Sequence, residues 1–329
     1  MDLSSVYGGE IPDFLREASQ TDVLRRLRGV GMNCGCEYTD FPRFQNLRGY
    51  SRFDHSLGVA CIVWQHTHDK AQAMSGLLHD VSTPVFAHVV DFLKGDHLRQ
   101  EATEAGTETS IRASEELLAV LEKNGLTVDS VKDYHIYPIA DNDSPKLSAD
   151  RLEYSLGNML NYRFAEFCTA KKLYSDICVG ENEFGELELM FVHAECAAEF
   201  ADRALSCARV YVSDEDRYGM QHLAELLRDA LGAGVIGTDD LNGTEPEIIE
   251  KLTAEPSIAE RWRRFCAMHT MEVSHEASRS GDWRKICAKK RCIDPYVRGR
   301  GRVSELDAGF AAQLHAFRTQ SLDYWVRGR

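Results

Sequence analysis

The chain has 329 residues, 43% hydrophobic and 27% charged, which is enough apolar material to bury a large core. A formal charge of −14 argues against general nucleic-acid binding, and no apolar run approaches the roughly 18 residues that span a bilayer. Ten cysteines without a paired framework, behind a start that lacks a signal-like apolar core, predict free thiols and a cytoplasmic protein.

Residues 10–30 carry Phe14, Leu15, Val23, Leu24, Leu27 and Val30 at helical spacing. Residues 31–50 are rich in glycine, aromatics and polar groups and predict a loop. A helix then runs from about Asp54 to His68, with His55 in its first turn. A second runs from about Lys70 to Val81 and ends in His79-Asp80. Pro84 disfavours helical backbone at Thr83, so both side chains fall where helix meets loop. An aspartate at a helix C-terminus faces an unfavourable dipole, which points to a nearby cation. Farther on, Leu147 to Tyr154 opens a third helix with Asp150 near its start. Tyr154 and Asn158 share the Asp150 face, and Arg151 lies about 100° round.

His55, His79, Asp80 and Asp150 thus offer two nitrogens and two oxygens. That set suits one divalent metal ion: manganese, iron, zinc or nickel, with magnesium less comfortable among imidazoles. Four protein ligands leave room in an octahedral shell for water and a phosphate oxygen. Between the second and third helices, Phe86 to Leu93 predicts a helical turn carrying His88. His97, Glu101 and Glu104 share one helix face, residues 110–123 predict an amphipathic helix, and Tyr134 to Pro145 reads as a polar loop.

These motifs resemble the HD-domain phosphohydrolase superfamily, closest to its deoxynucleoside triphosphate triphosphohydrolase-like branch. Arg52-Phe53-Asp54-His55-Ser56-Leu57-Gly58-Val59 is similar to that branch's Arg-Phe-Glu-His-Ser-Leu-Gly-Val segment. His79-Asp80 with Pro84, Phe86 and His88 resembles its His-Asp-x-x-His-Gly-Pro-Phe-Ser-His run, and Asp150 to Tyr154 resembles the helix supplying the last ligand. The resemblance covers residues about 20 to 165. It implies that His88 lies near the transferred phosphate, that Arg151 and Tyr154 touch substrate phosphates, and that Asn158 touches the sugar. It also makes Gln45 and Arg48 pocket candidates. Thr83 and Gln100 depart from the branch, which has histidines there, and this weakens triphosphate release more than metal binding.

Residues 187–212, 214–233, 245–253 and 257–272 predict further helices. Residues 284–302 hold eight basic side chains and one acid. This basic segment is read as solvated surface or as partners for the excess carboxylates; the alternative is a phosphate-binding patch. The expected fold is all-α, with an HD-type metal-binding phosphohydrolase core over residues 1–165. A mainly helical C-terminal region with minor β structure follows over 166–329.

The expected function is metal-dependent hydrolysis of a phosphoester or phosphoanhydride, with a nucleotide the favoured substrate. Arg52 and Arg151 clamp phosphate, Arg52 and His88 serve catalysis, and Tyr154 and Asn158 bind substrate. The partner is a phosphorylated small molecule rather than a membrane, and a homo-oligomer is compatible with the resemblance. The alternatives are a two-metal phosphodiesterase, using His88 with His97, and a nucleotide-binding regulator with weakened catalysis.

Overall fold

The computed structural model describes residues 3, 6–95, 106–276 and 281–329. His97, Gln100, Glu101 and Glu104 lie outside the described residues. Among those described, sixteen α-helices dominate, with seven short strands gathered into two small sheets. No helix among them is long and apolar enough to cross a membrane.

The three helices expected to carry the site are present: Arg52–Thr67 (the His55 helix), Lys70–Leu78 (the His79 helix) and Ala149–Asn161 (the Asp150 helix). The second stops earlier than its apolar pattern predicts. His79 is its C-cap residue, and Asp80 already belongs to the turn in which the Thr83 amide donates to the Asp80 carbonyl at 2.9 Å. Gly76 lets the first two helices pack closely, since a Cβ there would stand only 3.2 Å from Val59.

The strands are where sequence and structure diverge. Leu187–Phe191 (β2) pairs antiparallel with Ile177–Glu181 (β1), although 187–212 predicts helix throughout; the helix begins only at Ala194. The apolar run misleads because β2 is buried from Glu188 to Phe191, and a short, fully covered strand loses its alternation. Tyr296–Val297 (β5) and Gly301–Arg302 (β6) complete this sheet in the order β1-β2-β5-β6. The helix expected over 257–272 is Pro256–Cys266, and Met271–Ser274 (β3) then pairs antiparallel with Trp325–Gly328 (β7). Arg284–Lys285 (β4) flanks β7 on the other side. Residues 110–123 form two helices rather than one. Ser114 ends the first and caps the second, its hydroxyl accepting from the Leu117 amide at 3.2 Å.

Two apolar clusters hold the molecule together, and both draw side chains from either side of residue 165. One joins Val59, Leu77, Leu152 and Leu156 to Phe200, Val297 and Phe310; the other joins Phe41 and Phe86 to Leu223, Trp262 and Val326. Beside the second, Glu37 and Glu245 form a buried pair of acids. Glu245 accepts from the Gly31 amide and the Tyr38 hydroxyl, each at 2.8 Å. Burial and the charge of Glu245 push the Glu37 carboxyl up to about 8.

At least four of the eight basic side chains of residues 284–302 find partners within the chain. Arg284 forms a two-pronged pair with Glu225, and Arg302 does the same with both Glu183 and Glu188. Lys285 pairs with Asp323 at 2.6 Å, and Lys290 donates to the Arg318 carbonyl at 2.9 Å.

Candidate metal centre and its cavity

A reciprocal cap fixes the start of the His55 helix. The Ser51 hydroxyl accepts from the Asp54 amide, and the Asp54 carboxylate accepts from the Ser51 amide at 2.9 Å. Arg52 and His55 therefore occupy its first turn. His79 closes the neighbouring helix, and Asp150 sits in the first turn of a helix capped by Ser148, whose hydroxyl accepts from the Arg151 amide at 3.2 Å.

From these three origins the four candidate ligands converge. His55 Nε2 lies 3.0 Å from Asp150 Oδ1, 3.2 Å from His79 Nε2 and 4.0 Å from Asp80 Oδ2. His79 Nε2 lies 3.5 Å from Asp80 Oδ2 and 3.7 Å from Asp150 Oδ1. The buried group His55, His79 and Asp80 could bind a metal ion. Each imidazole has its other nitrogen engaged. His79 Nδ1 donates to the Gly76 carbonyl at 2.8 Å, and His55 Nδ1 donates to Glu153 at 2.6 Å. Those bonds occupy Nδ1 of each ring and turn both Nε2 atoms to the shared centre, the orientation that metal ligation requires.

The carboxylates are prepared as well. Asp80 Oδ2 accepts from Arg52 Nη1 at 2.9 Å, and Oδ1 accepts from the Thr83 hydroxyl at 2.7 Å. Burial would raise the Asp80 pKa, but Arg52 and the two histidines hold it well below the usual carboxylate range. Asp150 likewise falls to about 2 against the effect of burial, through its bond to His55. Thr83, standing where the resembled branch has histidine, is spent on orienting the Asp80 carboxylate.

Nine of the residues singled out from the sequence line one cavity of about 270 Å³: Arg52, His55, His79, Asp80, His88, Asp150, Arg151, Tyr154 and Asn158. Their hydrogen bonds refine the expected roles. Arg52 pairs with Asp80, and its buried Nε has no partner among the described residues. Arg151 donates to Asn142 at 2.8 Å and pairs with Asp141 at 3.1 Å. His88 Nδ1 donates to Asp91 at 2.9 Å, and burial lowers its pKa from the ordinary value. Burial lifts the Tyr154 phenol to about 12, so it stays a hydrogen-bond donor. Asn158 Nδ2 donates to the Tyr211 hydroxyl at 2.8 Å. Gln45 and Arg48 are turned elsewhere, to the Thr39 carbonyl and to Glu166 respectively.

Sequence reasoning missed several groups. Glu153 is fully buried behind His55 and also accepts from the Tyr7 hydroxyl at 2.9 Å and from the Tyr50 hydroxyl. Its one sequence signal was its place three residues after Asp150, on the same side of a helix. Tyr134 packs its ring 4.9 Å from that of His79, and His135 pairs with Asp141 at 2.7 Å at the cavity edge. Tyr211, Asp216, Lys289 and Arg291 enter the cavity wall from the C-terminal half. The basic segment is therefore partly cavity lining, and Arg291 lies near enough to act on both His88 and Tyr154.

No family model matches the chain. Over 315 residues, 90% of this chain and 84% of the relative, it is 25% identical to the metal-dependent phosphohydrolase cns2 of Cordyceps militaris. Over 261 residues, 77% of this chain and 76% of the relative, it is 26% identical to the uncharacterized protein YdhJ of Bacillus subtilis. The first similarity supports an HD-type phosphohydrolase and a phosphohydrolase function in general terms.

Proposed function

We propose that the protein is a one-metal HD-type phosphohydrolase acting on a nucleotide. The observation that carries this reading is the approach of His55, His79, Asp80 and Asp150 to one point, with both imidazoles oriented from behind. His55, His79, Asp80 and Asp150 would hold the ion, and the mixed nitrogen and oxygen set favours manganese, iron, zinc or nickel over magnesium. When bound, a divalent ion supplies Lewis acidity, polarising a phosphoryl oxygen and making water a competent nucleophile at neutral pH.

The chain's own groups supply the rest. Arg52 keeps Asp80 ionised and fixed in orientation. Arg151, Lys289 and Arg291 set positive charge around the cavity for phosphate oxygens, offsetting the protein's net negative field. Tyr154 donates a hydrogen bond. His88 is kept neutral by burial and carries its proton on Nδ1 toward Asp91, so Nε2 can accept a proton from the attacking water. The two-metal alternative needs donors beyond these, and His97 lies outside the described residues.

Asp80→Ala is expected to lose the metal and all phosphatase activity while remaining folded. Metal quantification of the purified variant beside a nucleotide hydrolysis assay tests this. Retained turnover at full metal content would overturn the assignment.

A further inference from the structure

The end of the cavity away from the phosphate-directed cations is built mostly from groups the phosphohydrolase reading does not use. Asn158 stands eight residues beyond Asp150 on one helix, about 12 Å along its axis. Around it the polar groups are paired with each other: Asn158 Nδ2 donates to Tyr211, and the Tyr162 hydroxyl donates to Asn33 Oδ1 at 2.9 Å. Two groups are left over. Asn158 Oδ1 is buried and has no hydrogen-bond partner among the described residues. Asp216 is only 7% exposed, lines the same cavity, and its carboxyl has no hydrogen-bond partner among the described residues.

Asp216 is held in place rather than loosely exposed. It lies in the first turn of helix Asp214–Gly232, its amide donates to the capping Ser213 hydroxyl at 3.3 Å, and its carbonyl accepts from the Cys36 thiol. Arg43, a cation whose charge acts on it, is itself 3.7 Å from Glu215. The carboxyl lies at the cavity wall, where a ligand group can supply the hydrogen bonds it lacks.

Resting on the nucleotide reading above, we infer that Asp216 recognises the organic half of the substrate, pairing its carboxyl with a heterocycle edge that sets a hydrogen-bond donor beside an acceptor. A nucleobase presents such an edge; a bare sugar phosphate does not. Burial, with the charge of Glu215 adding to it, pushes the Asp216 pKa well above the usual carboxylate range. A protonated carboxyl both donates and accepts, so it can close a two-bond ring with that edge. The rings of Tyr162 and Tyr211 in the same cavity wall suit a planar group, and the roughly 12 Å of helix between Asp150 and Asn158 gives the length of wall along which a sugar can lie.

The test uses the full metal-loaded chain. Probes are the 5′-mono- and 5′-triphosphates of adenosine, guanosine, cytidine and uridine, with ribose 5-phosphate and p-nitrophenyl phosphate lacking a base edge. Hydrolysis is measured as kcat/KM and binding by calorimetry, for wild type, Asp216→Leu and Asp216→Asn. Two neutral hydrogen bonds correspond to a preference of about ten- to a hundredfold for at least one nucleotide over ribose 5-phosphate. That preference should collapse in Asp216→Leu and survive in Asp216→Asn, whose amide keeps a donor beside an acceptor. Asp216→Ala gives the same readout should the leucine variant fail to fold. Turnover of the base-free probes with no nucleotide preference, or a preference that survives in Asp216→Leu, overturns this inference and leaves the hydrolase reading standing. If nothing is hydrolysed the hydrolase reading fails, and calorimetry still decides Asp216: nucleotides that bind no better than ribose 5-phosphate overturn it.

Discussion

Glu153 shows how much of the proposed metal centre lies behind its candidate ligands. It has no path to substrate, yet it accepts from His55, Tyr7 and Tyr50 and so sets both the tautomer and the tilt of the first imidazole. Glu153→Gln removes a charge and some acceptor capacity from that triangle. The expected outcome is a metal affinity lowered about ten- to a hundredfold, read by competitive titration against a chelating dye, with the fold retained. The four proposed ligands could be singled out from the sequence because each sits in a local signature: an imidazole in the first turn of a capped helix, a His-Asp pair before a proline, an aspartate opening a helix. Glu153 was not legible, because its role is set by tyrosines 103 and 146 positions away. Asp216 and Tyr211 were hidden for the same reason.

Among the elements, the His55 helix and the Asp150 helix meet where a side chain would not fit. A Cβ on Gly58 would stand 2.4 Å from Glu153 Oε1 and 2.6 Å from its Cγ. Glycine in mid-helix ordinarily costs about 1 kcal/mol against alanine, so Gly58→Ala should stabilise an isolated helix. Here the sign should reverse. Crowding of a packed interior costs roughly 1–3 kcal/mol, and the displaced carboxylate would release His55. A lower Tm in thermal melts, together with weaker metal binding, is the expected result; an unchanged Tm would show that Glu153 swings aside freely. Helix Pro256–Cys266 was readable from apolar spacing because it buries one face, through Ile258, Trp262 and Phe265. The β1–β2 hairpin was not, since Glu188 reads as a solvent-facing acid until Arg302, 114 positions on, is seen paired with it.

For the whole molecule, the Glu37–Glu245 pair ties stability to pH. Glu37 titrates near 8 when folded, against an ordinary value of 4.5. Between those values the folded chain holds a proton that the unfolded chain has released, so stability falls as pH rises through that window and levels off above it. Glu37→Gln removes the dependence. Its Tm relative to wild type should climb between pH 5 and pH 8.5, by about 2 °C for each kcal/mol relieved, whatever constant offset the amide introduces. A difference that stays flat across that range, followed by differential scanning fluorimetry, would remove Glu37 from this role. The shared interior has a consequence for dissection of the protein. A fragment stopping near residue 165 would retain every proposed metal ligand but forfeit Phe200, Val297 and Phe310 from one cluster, and Leu223, Trp262 and Val326 from the other. It should form a swollen, dye-binding globule with helical far-ultraviolet dichroism and no sharp melt, leaving chemistry and architecture inseparable along the chain.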